Sequence, residues 1–302
     1  MVDLIDGSRL NGTPNLDTLK VSTEYAEMQI PLAMVHRLEL SGTDNTGQVD
    51  FLNGDHVNGT LGITSLGLKT IFGSVDIPVL QLRDIQVLGT GGGKPLPDGL
   101  VLHYSFDANT GDRIIDTSGS GSDGRVQGAT YTSEGKIDGA MSFNGERAAV
   151  VVGNPRSLQL QDFTIAAWIK RGDVEKPSGN QGDDAEIFGY GHGGYMLGMA
   201  GDGRLFFSKV DIDNIVSQFQ IRDGQFHHVA VTKNGNEVVF YLDGVGYPPQ
   251  QYDPGFEFTT DAALGTRADM MVHCFLGVID ELAVFNRALS PDEIKGIYDS
   301  QK

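Results

Sequence analysis

The sequence predicts an all-β protein in two parts, and three observations carry that expectation. Glycine is abundant, 41 of 302 residues, and much of it stands in turn pairs such as Asn-Gly and Asp-Gly, which favour many short strands over long helices. Apolar and polar residues alternate with period two in many segments; Leu100, Leu102, Tyr104 and Phe106 alternate with Val101, His103, Ser105 and Asp107. The N-terminal third contains a gapless internal repeat at an offset of 47 residues.

The first copy starts at Asp3 and the second at Asp50. Gly7 matches Gly54, Asn11-Gly12-Thr13 matches Asn58-Gly59-Thr60, and Ile30-Pro31 matches Ile77-Pro78. Asp6-Gly7 and Asn53-Gly54 read as hairpin turns. Leu19-Val21-Thr23 and Leu66-Leu68-Thr70 then alternate as strands, with turns at Tyr25-Ala26-Glu27 and Phe72-Gly73-Ser74. One copy of about forty residues buries too little apolar surface to stand alone, so two copies share one core. Residues 1–88 therefore read as a small β-barrel or sandwich of two 47-residue repeats with pseudo-two-fold character. Its edge strands suit self-association or docking onto a partner; an inert spacer is the alternative. The Gly- and Pro-rich run at 89–98 reads as a linker, and 99–302 as the second domain.

In that domain Asp107 to Gly124 reads as a Gly/Ser/Asp loop interrupted by Ile114-Ile115, with strands at Val126 to Tyr131, Gly139 to Phe143 and Ala148 to Val152. Phe163 to Ile169 carries the sole tryptophan, Trp168, in an apolar run that suits a core position. Residues 171–186 read as a polar loop. Strands follow at Ile187 to Tyr190, Tyr195 to Met199 and Leu205 to Lys209, with a hairpin over Asn234-Gly235. His227 and His228 are strand neighbours on opposite faces, so they do not chelate one ion together. In the last strand Ile279, Glu281 and Ala283 share one face, and Val278, Asp280, Leu282 and Val284 the other. Ser290 as N-cap, Pro291 at N1 and Glu293 at N3 predict a short capped C-terminal helix with Ile294 and Ile297 on its apolar side. The whole reads as a two-sheet antiparallel jelly-roll sandwich with that helix at its end.

Composition narrows the function. A formal net charge of −18 with no basic cluster speaks against nucleic-acid binding, which rests on Lys and Arg at phosphates. The lone cysteine, Cys274, lies in an apolar run and reads as a buried thiol, so stability comes from burial rather than a disulfide. No segment has the length and apolarity of a membrane helix, and none reads as a signal peptide before Val2.

Several fragments occur together in an order that resembles LamG-like (concanavalin A-like) jelly-roll domains. They are SFDANTGDRIIDTSGSGSDG from Ser105, GAMSFNG from Gly139, DFTIAAWIK from Asp162, FHHVAV from Phe226, VVFYLDG from Val238 and the strand and helix of Phe275 to Tyr298. Phe226 stands where the family usually has Trp and can pack in the same way. The N-terminal part also looks like a prefix domain seen ahead of bacterial LamG-like modules. The resemblance implies that the first and last strands of the second domain lie side by side. It also implies a structural Ca²⁺ held by Asp107, Asp116, Asp123 and Asp280. The alternative for these acids is turn capping through Asx hydrogen bonds.

Glycan or protein binding is the leading functional expectation. Aromatic planes with hydrogen-bonding neighbours stand at Tyr190, His192 and Tyr195, and at Tyr247, Tyr252 and Arg267; for Tyr190 and Tyr195 core packing competes. No catalytic residues are assigned, because no predicted strand carries the two facing carboxyls of glycoside cleavage and no nucleophile elbow or phosphate loop is present. A structural subunit of an extracellular or virion-like particle is the alternative, and a glycan-active enzyme the third. Either of the first two places the protein outside the cell or on the surface of an assembly.

Overall fold

The computed structural model describes residues 2–51, 55–70, 72–87, 96–107, 109–179 and 183–302. The Asn53-Gly54 turn and most of the 89–98 linker lie outside the described residues. Two compact units divide the chain, Met1–Gly92 and Gly93–Lys302.

The first unit holds an eight-stranded and a three-stranded antiparallel sheet, neither closed into a barrel. The repeat is built into its register. Val35–Leu40 pairs with Leu82–Gln86 through Arg37↔Gln86, Leu38↔Ile85 and Glu39↔Asp84, contacts that exchange under the 47-residue offset. Val2–Leu4 pairs with Leu82–Gln86, and Thr46–Phe51 with Val35–Leu40, so each copy's opening strand rests on the other copy's closing strand. Core residues come in matched pairs: Leu19 with Leu66, Val21 with Leu68, Leu38 with Ile85. Neither copy can complete its core without the other.

In the second unit a nine-stranded and an eight-stranded sheet enclose one large core. The nine-stranded sheet is centred on Leu276–Phe285, which pairs with Leu100–Tyr104, Ala140–Asn144 and Phe163–Arg171. First and last strands thus lie side by side. The expected alternation of Leu276–Phe285 breaks once. Opposite Ala166 to Trp168 the last strand carries one extra residue, and Glu281 there has φ +51°. This bulge shifts the pleat by one position, so Ile279, Leu282 and Val284 all enter the large core, while Ala283 and Phe285 face the C-terminal helix. The sequence pattern had placed Ile279 opposite Leu282.

The helix runs Pro291–Gln301 with the reciprocal Ser290–Glu293 capping box. Ile294 and Ile297 pack on Ala166, Ala230, Tyr241 and Phe285. Trp168 lies on the same outer face, stacked on Tyr298 at 5.6 Å, and its Nε1 donates to Gln301 at 3.0 Å. His228 is buried beside Trp168, and burial lowers its pKa to about 4. His227 points the other way, between Asp223 and Asp243.

Candidate functional site

The eight-stranded sheet ends in the run Asp184–Tyr190, Tyr195–Ala200, Leu205–Lys209 and Asp213–Val216. Period-two geometry sends Tyr195, Leu197, Met199, Leu205 and Phe207 into the large core. Met196, Phe206 and Val210 form a separate apolar cluster on the opposite face. A cavity of about 410 Å³ opens over that face, within the size range of small-molecule sites. Met196 and Phe206 floor it, Ser208, Asn214 and Asp184 add polar groups, and Asp211, Asp213, Arg267 and His273 stand around it. Gly198 keeps the floor low: a Cβ there would meet Phe206 Cζ at 2.3 Å and the Ala185 carbonyl at 2.6 Å.

Glu186 lines this cavity and is only 2% exposed. It sits at a bulge between Glu186 and Phe188, and its N–H donates to the His273 carbonyl rather than to the neighbouring strand. Bulges re-aim side chains in this way. Its Oε2 has no hydrogen-bond partner. Burial pushes its pKa well above the usual carboxylate range; Arg267 opposes that shift, while Asp269, Asp184 and Asp211 add to it. Burial thus favours the neutral form of this carboxyl, and a cation brought beside it would favour the charged one.

Arg267 is 7% exposed and ties the surrounding segments together. Its Nη1 and Nη2 donate to Asp211 at 2.7 and 2.6 Å, while Nε and Nη2 donate to Asp269 at 2.7 and 3.1 Å. Asp269 also accepts from the His192 N–H at 3.2 Å, and the His192 ring meets Asp211 at 3.0 Å. Hydrogen bonding from Arg267 leads in lowering the Asp211 pKa to about 2. Three non-glycine residues near the cavity have left-handed backbones: Asp211 (φ 65°), Met271 (φ 53°) and His273 (φ 55°). Each such residue costs on the order of 1 kcal/mol, and persists because its neighbours hold it. For Asp211 the Arg267 clamp supplies that hold.

The structure sorts the expected ligand residues. Arg267 lines this cavity, and His192 meets it only through the shared partners Asp211 and Asp269. Tyr190, Tyr195 and Tyr252 are corrected to core positions. Tyr190 and Tyr195 are fully buried edge to face at 5.2 Å, and the Tyr195 hydroxyl donates to the Leu158 carbonyl. The Tyr252 hydroxyl accepts from the Lys209 N–H and donates to the Asp213 carbonyl, bracing the strands behind the cavity. Tyr247 packs on Phe219 at 4.7 Å, partly buried against the large core.

The implied calcium set does not assemble. Asp116 accepts from the N–H groups of His103, Ser118 and Ser122, and Asp123 from the Asp116 N–H and from Arg113. Asp280 accepts from the N–H groups of Lys136, Ile137 and Glu281. These carboxylates tie loops together: the Asp116–Ser118 bond is a local Asx contact, while Asp123 and Asp280 also bond segments farther along the chain. Asp107 is partly buried, and burial first, then Glu281, raises its pKa to about 6. Among the described residues no group of three or more His, Cys, Asp or Glu is placed to hold a metal ion.

Sequence reading missed Glu186 and Asp184, because residues 171–186 read as loop. The strand in fact starts at Asp184, which puts Asp184 and Glu186 on one face of it. The Asp-Ala-Glu spacing was the available signal.

The model of the concanavalin A-like lectin/glucanases superfamily matches residues 144–295, half of the chain. The chain belongs to this superfamily. The matched segment contains the cavity-forming strands and the wall around Arg267. Among solved structures, this superfamily member is similar to domain 4 of AbnA, a GH43 extracellular arabinanase from Geobacillus stearothermophilus, solved with arabinotriose. The TM-score is 0.53 and the identity 21%, over 66% of this chain and 98% of that one. It is similar to the binding domain of Paraclostridial Mosquitocidal Protein 1, with TM-score 0.53 and 18% identity over 67% of this chain. It is also similar to the binding domain of botulinum neurotoxin DC, solved with rat synaptotagmin II, with TM-score 0.53 and 16% identity over 68% of this chain. The chain spans about half the length of these two toxin domains, 52% of each. At such identities the likeness speaks for the fold alone. No curated protein matches the chain in sequence. Among the described residues no helix is long and apolar enough to cross a membrane.

Proposed function

We propose that this protein is a non-enzymatic carbohydrate-binding module, displayed outside the cell or on an assembly, and that it binds through the cavity over Met196 and Phe206. The observation that carries the reading is the pairing of an apolar floor with convergent polar groups, one of them a buried carboxyl whose Oε2 has no partner. Apolar sugar faces suit such a floor, and hydroxyls suit its rim. The relative solved with arabinotriose supports the choice of carbohydrate over other small molecules. A glycan array followed by calorimetry tests it. Binding should vanish in Ser208→Tyr, which fills the cavity, with the fold intact. No glycan signal for the native protein would sink the reading. Asp184 and Glu186 share one face, so a polysaccharide hydrolysis screen belongs beside it, and turnover would overturn the non-enzymatic assignment.

A second reading concerns the first unit, which docks onto a partner or a larger assembly. Tyr25 and Phe72 support it. They stand at matched positions of the two repeats, each at a hairpin tip, with exposures of 83% and 88%. Exposed large aromatics at both equivalent tips form no part of the unit's own core.

A further inference from the structure

We infer that the sugar taken by this cavity carries a primary amine, as in a 2-amino-2-deoxyhexose, and that Glu186 receives that ammonium group. The inference rests on the carbohydrate reading above and deepens it. Four acids line the cavity, Asp184, Glu186, Asp211 and Asp213, against two permanent cations. Arg267 is saturated, and Lys209 already has an acidic neighbour. Arg267 spends four of its N–H groups on Asp211 and Asp269, and Lys209 faces Glu257 at 3.4 Å. A uronic or sialic carboxylate would therefore meet four acids and compete with Glu257 for Lys209. Glu186 is the opposite case. Its Oε2 is buried, faces no donor, and stands among carboxylates that favour a cation. An ammonium there satisfies that oxygen with a charge-assisted hydrogen bond and relieves the crowding of like charge. Met196 and Phe206 beneath, with Ser208 and Asn214 alongside, suit the ring that would carry the amine better than a bare alkyl chain.

Calorimetry at about pH 6, where sugar amines are largely protonated, tests this with three probes. These are a fully de-N-acetylated chitotriose, its fully N-acetylated counterpart, and a lysine-rich peptide. The native protein should bind the amino form about tenfold more tightly than the acetylated form. Glu186→Gln keeps the shape and should erase that preference while leaving any binding of the acetylated form in place. Asp184→Asn, at the half-exposed rim, should reduce the preference by about threefold. Equal or reversed preference would overturn the amine inference and leave the carbohydrate reading standing, as would a preference that survives Glu186→Gln. Binding of the peptide with no binding of either saccharide would overturn both.

Discussion

Glu186 and Arg267 make opposite use of burial. Arg267 is saturated by two carboxylates, whereas Glu186 is left with a bare oxygen, and their pH behaviour differs accordingly. The folded pKa of Glu186 lies above its unfolded value, so the native state holds the proton over a range where the unfolded state has released it. Stability is thus unaffected by Glu186 below the unfolded pKa and declines as pH rises from there to the folded pKa. The slope is about 1.4 kcal/mol per pH unit where the difference is a full proton. Glu186→Gln should remove that component, so its denaturation midpoint should gain on the native protein's as pH rises above the ordinary carboxylate range. Urea titrations at several pH values would show it, and parallel curves would contradict the assignment. Arg267→Ala should cost about 1–2 kcal/mol in the same assay. That range is below the value for a fully buried pair because Asp211 is partly solvated.

At the scale of single elements, the cavity exists because two strands depart from regularity. The bulge at Glu186 turns one carboxyl inward, and Gly198 leaves room for the Phe206 ring. Gly198→Val should therefore destabilise the unit by about 2 kcal/mol and displace Phe206, weakening ligand binding beyond the stability change. The C-terminal helix is governed by its cap and two isoleucines. Ser290→Ala should cost about 1 kcal/mol and Ile294→Ala about 3 kcal/mol. Because Tyr298 stacks on the sole tryptophan, Trp168 fluorescence reports undocking of this helix. For the same reason it does not report on the cavity, which lies on the other sheet, so calorimetry is the right readout for sugars.

For the whole molecule, the interleaved repeats predict cooperative behaviour in the first unit. Each copy's opening strand lies on the other's closing strand, so residues 1–47 produced alone should not fold, which circular dichroism would detect. Tyr25 and Phe72 stand outside that core. The double change Tyr25→Ser and Phe72→Ser should leave the melting temperature within about 2 °C while abolishing association seen by mass photometry. A native protein that stays strictly monomeric and joins no larger particle would end the docking reading.

Much of the fold was legible in the residues themselves. Turn pairs, period-two alternation, the 47-residue repeat and the Ser290–Glu293 box are local patterns, and local patterns dictate element type and the side each residue buries. The site was far less legible. Tyr190, Tyr195 and Tyr252 are aromatics that could serve a ligand or a core equally well, and only the packing of one sheet on the other sent them inward. Glu186 lay in a stretch whose polarity resembles a loop; its role follows from a bulge, a left-handed His273 and a guanidinium brought from Arg267, far along the chain. Sequence determined which strands form and that they enclose a core, because hydrophobic periodicity is written residue by residue. Tertiary structure alone decided where a polar group loses its water without gaining a partner, because that depends on what distant segments bring to the same place.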